Sequence, residues 1–395
     1  MISEMMKGLA GKNSAIRAMF EEGNRLAAIY GRENVYDFSL GNPNFPAPEA
    51  VKEVAIDILN NEDTLYLHGY MSNAGYPDVR KAIADSLNER FETKFTENNI
   101  IMTVGAAGGL NVILKTVLNP GDEVLTFAPY FVEYGNYVLN YGGVIKAVAP
   151  DTATFQPNLT AFEEMINPNT KAVIINSPNN PTGVVYSHET LTKIGEIMSA
   201  KEKEYGHEIY LISDEPYREL AYDGVDVPYV TKYYNDAFVA YSWSKSLSLP
   251  GERIGYVVIP SEMADFTITF EAASIANRVL GFVNAPSLQQ RIVARCLNEN
   301  TDLSGYDDNR KTLYEGLTAH GFECVFPQGA FYLWMKTPVS DKEFSEAAKE
   351  FNILVVPGTS FACPGYVRIA YCVAKETIVN SMAGFGKLAE KYGLK

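Results

Sequence analysis

The side chains best suited to chemistry lie in short polar stretches, each close to an apolar run. In Ser242-Trp243-Ser244-Lys245 a lysine follows two hydroxyls, and Gly251-Glu252-Arg253-Ile254-Gly255 brings an arginine close behind. Two hydroxyls and a guanidinium suit a phosphate monoester. A neighbouring cation also lowers a lysine pKa, which frees the amine for imine chemistry. The plainer reading of Lys245 is a solvated loop lysine. Asp214-Glu215-Pro216-Tyr217 ends another apolar run. A carboxylate there costs free energy unless it is paired, with a protonated ring nitrogen of a ligand or with an internal cation. Arg368, within Gly365-Tyr366-Val367-Arg368-Ile369-Ala370, also needs a partner if buried. A substrate carboxylate held bidentately would serve, and so would an internal Asp or Glu. Gly105-Ala106-Ala107-Gly108-Gly109 could close its backbone N–H groups on an anion at a helix N-terminus, or form only a tight turn. Ser177-Pro178-Asn179-Asn180-Pro181-Thr182-Gly183 is a rigid polar turn that offers the Asn180 amide to a crevice or stays on the surface.

The elements that carry these stretches alternate. Apolar runs at 100–104, 123–127, 172–176, 209–213, 238–241 and 255–259 read as buried strands. Helical spacing occupies 81–91, 110–118, 131–140, 159–166 and 189–205. This alternation predicts an α/β fold with a mainly parallel central sheet covered by helices on both faces. Ligands of such sheets bind beyond the carboxyl ends of the strands, where most of the polar stretches fall. After Pro286 the rhythm changes to long helices (287–298, 308–320) and short strands (323–326, 332–335, 353–356, 367–371), with a last helix from Glu376. The expected division is a large domain at 46–286 and a smaller α+β domain made of 1–45 and 287–395. Within the arm, 13–30 has helical spacing, with Ile16, Met19, Phe20, Leu26 and Ile29 as its apolar side.

Composition excludes several classes. The net charge of −15 argues against nucleic acid and anionic membrane as partners, since both repel such a surface. No apolar run approaches the roughly 18–20 residues of a membrane span, and no signal peptide is legible. The cysteines, Cys296, Cys324, Cys363 and Cys372, have no zinc-like or C-x-x-C spacing. Free thiols in the cytoplasm are therefore expected, with no metal site.

Each stretch is ambiguous alone, but over residues 37–370 their order resembles the class I/II aminotransferases. These are fold-type I enzymes dependent on pyridoxal phosphate, typified by aspartate aminotransferase. The resemblance implies that Lys245 carries the cofactor as a Schiff base and moves the proton. It implies that Asp214 pairs with the ring nitrogen, that Tyr217 and Asn180 bond the ring hydroxyl, and that Phe131 stacks on the ring. Ser242, Ser244, Arg253 and the backbone at Ala106 and Ala107 would hold the phosphate. Tyr70 would reach the phosphate of a neighbouring subunit, which implies a homodimer with shared active sites. Gly41 and Arg368, with Asn180, would bind the substrate. The implied activity moves an amino group from an L-amino acid, with aspartate or glutamate as candidates, to a 2-oxo acid such as 2-oxoglutarate. Two departures bear on specificity. Ala107 stands where one aspartate-aminotransferase subgroup has a lysine, and Arg278 lies in a stretch resembling that of a cross-subunit arginine. A β-lyase, a decarboxylase or a cyclopropane-carboxylate synthase of the same fold would keep most cofactor residues. A cofactor-binding regulator would carry a DNA-binding domain ahead of this part, where only a short arm precedes Asp37.

Overall fold

A computed structural model describes residues 2–10 and 15–394. Its central sheet has seven strands: β1 (Ile100–Thr103), β2 (Glu123–Phe127), β3 (Val144–Val148), β4 (Thr170–Asn176), β5 (Tyr210–Asp214), β6 (Ala237–Ser242) and β7 (Gly255–Val258). Their spatial order is β1-β7-β6-β5-β4-β2-β3. All run parallel except β7, which is antiparallel to both its neighbours. The inner strands are near-continuous apolar runs because helices cover both faces. The edge strand β3 is half-exposed and carries Lys146, paired with Glu123, so it lacks the apolar run that marks the others.

The direction of β7 matters for the site. The carboxyl ends of β1, β4, β5 and β6 lie along one edge, and β7 begins there because it runs backwards. The segment just before β7, which holds Arg253, therefore meets the segments that come after the parallel strands.

A second core gathers Phe38 with side chains from the C-terminal helices and strands. Its sheet has four antiparallel strands in the order β10 (Val356–Pro357), β11 (Tyr366–Ala370), β9 (Tyr332–Lys336) and β8 (Cys324–Val325). The run expected as one strand at 353–356 divides, because Ile353–Leu354 pairs in parallel with Tyr36–Asp37 in a separate ribbon. That ribbon ties the N-terminal segment to the C-terminal part. The helix Ser287–Arg295 packs through Ile292 and Val293 into the core of the large sheet, so by its contacts it belongs with the preceding residues. In the helix Ala15–Tyr30, Met19 and Leu26 pack on Leu354. Phe20 and Ile29 are exposed, since about 100° per residue carries both well off that narrow seam. Positions 13 and 14 of the expected helix, and the Ile16 side chain, lie outside the described residues.

Candidate active site at the carboxyl edge of the sheet

Six polar stretches converge on one cleft of about 280 Å³ between the two cores. Its lining includes Gly41, Ala106, Ala107, Phe131, Asn180, Asp214, Tyr217, Ser242, Ser244, Lys245, Arg253 and Arg368, so most of the residues singled out in the sequence meet here.

Lys245 stands on a single helical turn, Trp243–Ser246, directly after β6. Its Nζ donates to the Gly41 carbonyl at 2.7 Å and has no carboxylate partner among the described residues. Burial, reinforced by Arg368 and Arg253 and opposed by Cys372, lowers its pKa to about 8. Desolvation is thus the main cause, ahead of the neighbouring cation inferred from spacing. It is not a solvated lysine.

Asp214 ends β5 and is buried. Its Oδ2 accepts from the Tyr134 hydroxyl at 2.6 Å, while its Oδ1 is buried with no partner. Burial raises its pKa to about 7, with the Tyr134 bond opposing and Glu215 adding to the rise. The internal ion pair allowed by the sequence is not formed. The Asn180 turn is likewise buried rather than at the surface. Asn176 Nδ2 donates to the Asp214 carbonyl, and Asn176 Oδ1 accepts from the Asn180 backbone N–H, both at 2.7 Å, so one side chain locks two strand ends together.

Arg368, on β11, is 2% exposed. It donates to Asn180 Oδ1 at 3.0 Å and to the Ser39 carbonyl, and its Nε has no partner. No carboxylate pairs with it among the described residues, so the internal Asp or Glu is absent and a donor remains for a ligand. Ser242 and Ser244 hydrogen-bond to each other at 3.1 Å. Opposite them, Gly105 opens the helix Gly105–Val117 at a φ of +70°, and a Cβ there would lie 2.9 Å from Arg253 Nη2. The backbone, a helix N-terminus, the guanidinium and both hydroxyls thus face one small volume.

Tyr70 and Arg278 are not brought in. Tyr70 is 95% exposed beside a separate groove formed with Met71, Phe282 and Asn284. Arg278 is exposed near the end of the helix Phe266–Val279. Three lining or supporting tyrosines escaped the sequence reading. Tyr134 and Tyr137 come after Phe131 at a spacing of three, a helical signal that could have found them. Tyr332 gave no such signal, because its place depends on pairing between β9 and β11.

The sequence profile of a family described as aminotransferase class I and II matches residues 33–383. The chain belongs to the class I and II aminotransferases. It is 32% identical to the aspartate/prephenate aminotransferase of Thermus thermophilus, over 97% of this chain and 99% of that one. It is 30% identical to the aspartate aminotransferase of Thermotoga maritima, over 90% and 92%. A crystal structure of an amino transferase from Eubacterium rectale superposes with a TM-score of 0.97 at 47% identity, covering 99% of both chains. Aspartate aminotransferase from Thermus thermophilus with maleate gives 0.86 at 29% identity, covering 98% of this chain and 100% of that one. The protein is thus a pyridoxal-phosphate-dependent aminotransferase of fold type I, acting on an amino acid and a 2-oxo acid, and the lyase, decarboxylase and regulator readings are not favoured. Among the described residues no helix is long and apolar enough to cross a membrane.

Proposed function

We propose that this cleft holds pyridoxal phosphate on Lys245 and transfers the amino group of an acidic L-amino acid, aspartate or glutamate, to 2-oxoglutarate. The observation that carries the assignment of the cleft is the buried, unpartnered Oδ1 of Asp214, in the same cavity as an amine whose pKa burial lowers to about 8. The other residues fit the group. Ser242, Ser244, Arg253 and the N–H groups at Ala106 and Ala107 suit a phosphate dianion. Phe131 suits the ring face, and Tyr217 with Asn180 suits the ring hydroxyl. When bound, the cofactor supplies a carbonyl that captures the substrate amine and a ring that takes up the electron pair left at Cα.

The protein's own groups do the rest. Asp214, once ionised, would hold a proton on the ring nitrogen of the cofactor. Arg368 takes the substrate α-carboxylate with the donor that nothing else uses, beside the Gly41 backbone, and so orients the Cα–H bond. Lys245 Nζ, with a pKa of about 8, would accept the Cα proton and deliver it to the cofactor carbon that receives the amino group. The acidic donor is supported by the names of the relatives. Arg278 would read the distal carboxylate only from a second subunit.

We further infer a homodimer in which Tyr70 reaches the partner's phosphate site, a division into large and small domains near the end of the helix Ser287–Arg295, and a cytoplasmic setting in keeping with four free thiols. The decisive experiment for the chemistry is the half-reaction. Loaded enzyme given glutamate alone should release about one oxo acid per site and then stop until an acceptor is added. Lys245→Ala should release none while unfolding as cooperatively as the wild type. Continuous turnover without an acceptor, or normal release by the variant, would reject the reading.

A further inference from the structure

Tyr332 lines the cleft although the sequence did not single it out. It begins β9 and is buried. Its hydroxyl lies 3.0 Å from that of Tyr217. Its ring centroid lies 4.5 Å from the Arg368 guanidinium carbon. A Cβ added to Gly41 would collide with the Tyr332 oxygen, so the hydroxyl rests against the backbone whose carbonyl receives Lys245. Only a glycine at position 41 leaves room for it.

We propose that Tyr332 is a positioning residue whose hydroxyl donates to Tyr217 and so commits the Tyr217 proton to an acceptor oxygen in the cleft. The inference rests on the reading that this acceptor is the ring oxygen of pyridoxal phosphate. A phenol has one proton. When Tyr217 donates it into the cleft, the contact with Tyr332 survives as a hydrogen bond only if Tyr332 is the donor. The pair then forms a directed chain, from Tyr332 to Tyr217 to the acceptor, and each bond polarises the next. Both hydroxyls stay protonated in the working range, because burial pushes Tyr332 up to about 12 and Tyr217 well above the usual phenol value. Neither can therefore act as an anion, and their direction is set by geometry. Both rings pack in the second core, and the pair joins the loop after β5 to β9, so the orientation of Tyr217 depends on how that loop seats on the second sheet.

The test is the pH midpoint of the visible spectrum of the loaded enzyme, which tracks protonation of the Lys245 linkage. A donor to the ring oxygen draws off negative charge that would otherwise hold the proton on that linkage, so losing the donor raises the midpoint. Tyr217→Phe should raise it. Tyr332→Phe, which keeps the ring under Arg368, should raise it by roughly half a unit, and the double variant should go no further than Tyr217→Phe alone. A wild-type midpoint in Tyr332→Phe beside a shifted Tyr217→Phe would overturn the inference alone, as would shifts that simply add. No shift in Tyr217→Phe would overturn the reading of Tyr217 and the inference with it. A several-fold rise in the KM for amino acid in Tyr332→Phe, with the midpoint unmoved, would assign the hydroxyl to the carboxylate side instead and reject the proposal.

Discussion

Asp214 shows how burial and function oppose each other at one residue. Its carboxyl sits at about 7 rather than at the ordinary 3.8, because burial penalises the charge. A carboxyl raised in the folded state costs stability as pH climbs from the unfolded value to the folded one, and the cost is complete above about 7. Asp214→Asn keeps an acceptor for Tyr134 and removes that titration. Cofactor-free Asp214→Asn should therefore be more stable than the cofactor-free wild type at pH 8, on the order of 2–4 kcal/mol, with the gap closing toward pH 4. Urea unfolding across that range checks it, and a gap independent of pH would contradict the cause. In the loaded enzyme the same change should slow proton removal by several powers of ten, because a fixed charge aimed at the ring is lost. Single-turnover kinetics measure that step.

Among the elements, the junction of β1 with the helix Gly105–Val117 has the least tolerance. Gly105 is held at a positive φ, which costs an L side chain roughly 1–2 kcal/mol, and its missing Cβ leaves the space used by Arg253. Gly109, one turn on, would place a Cβ 2.9 Å from Val257, so the helix also needs it to sit close on the sheet. Gly105→Ala should weaken cofactor binding about tenfold or more, with the sheet intact. Equilibrium dialysis with pyridoxal phosphate, alongside circular dichroism, separates the two effects. Wild-type affinity would mean that the phosphate is not seated at this junction.

For the whole molecule, the placement of Tyr70 sets the expectation. It is nearly fully exposed, with Leu65 and Tyr66 exposed on the same stretch, and it lies outside its own chain's cleft. Homodimers of Tyr70→Phe and of Lys245→Ala should each be weak or inactive. In a mixed dimer with Tyr70 acting across the interface, one site carries both lesions and the other carries neither, so activity should partly return after subunit exchange verified by mass. If Tyr70 acts within its own chain, exchange restores nothing. A monomer at micromolar concentration would end the idea directly.

The sequence by itself determined the inner strands and the polar turns that close them, because buried parallel strands are long apolar runs with abrupt ends. Lys245, Asp214, Asn180, Arg253 and Arg368 were all legible on that basis, each as an unusual polar residue beside an apolar run. Their convergence was not. It depends on the reversal of β7 and on the strand pairings of the second sheet, which are long-range pairings that local patterns do not encode. β3 was missed because an edge strand is half-solvated, and the run at 353–356 was misread because its halves serve different sheets. The electrostatic character of the site also belonged to the tertiary structure alone. Whether Asp214 was paired, and whether Arg368 had an internal carboxylate, turned on which groups lay within about 3 Å, and only packing sets that distance.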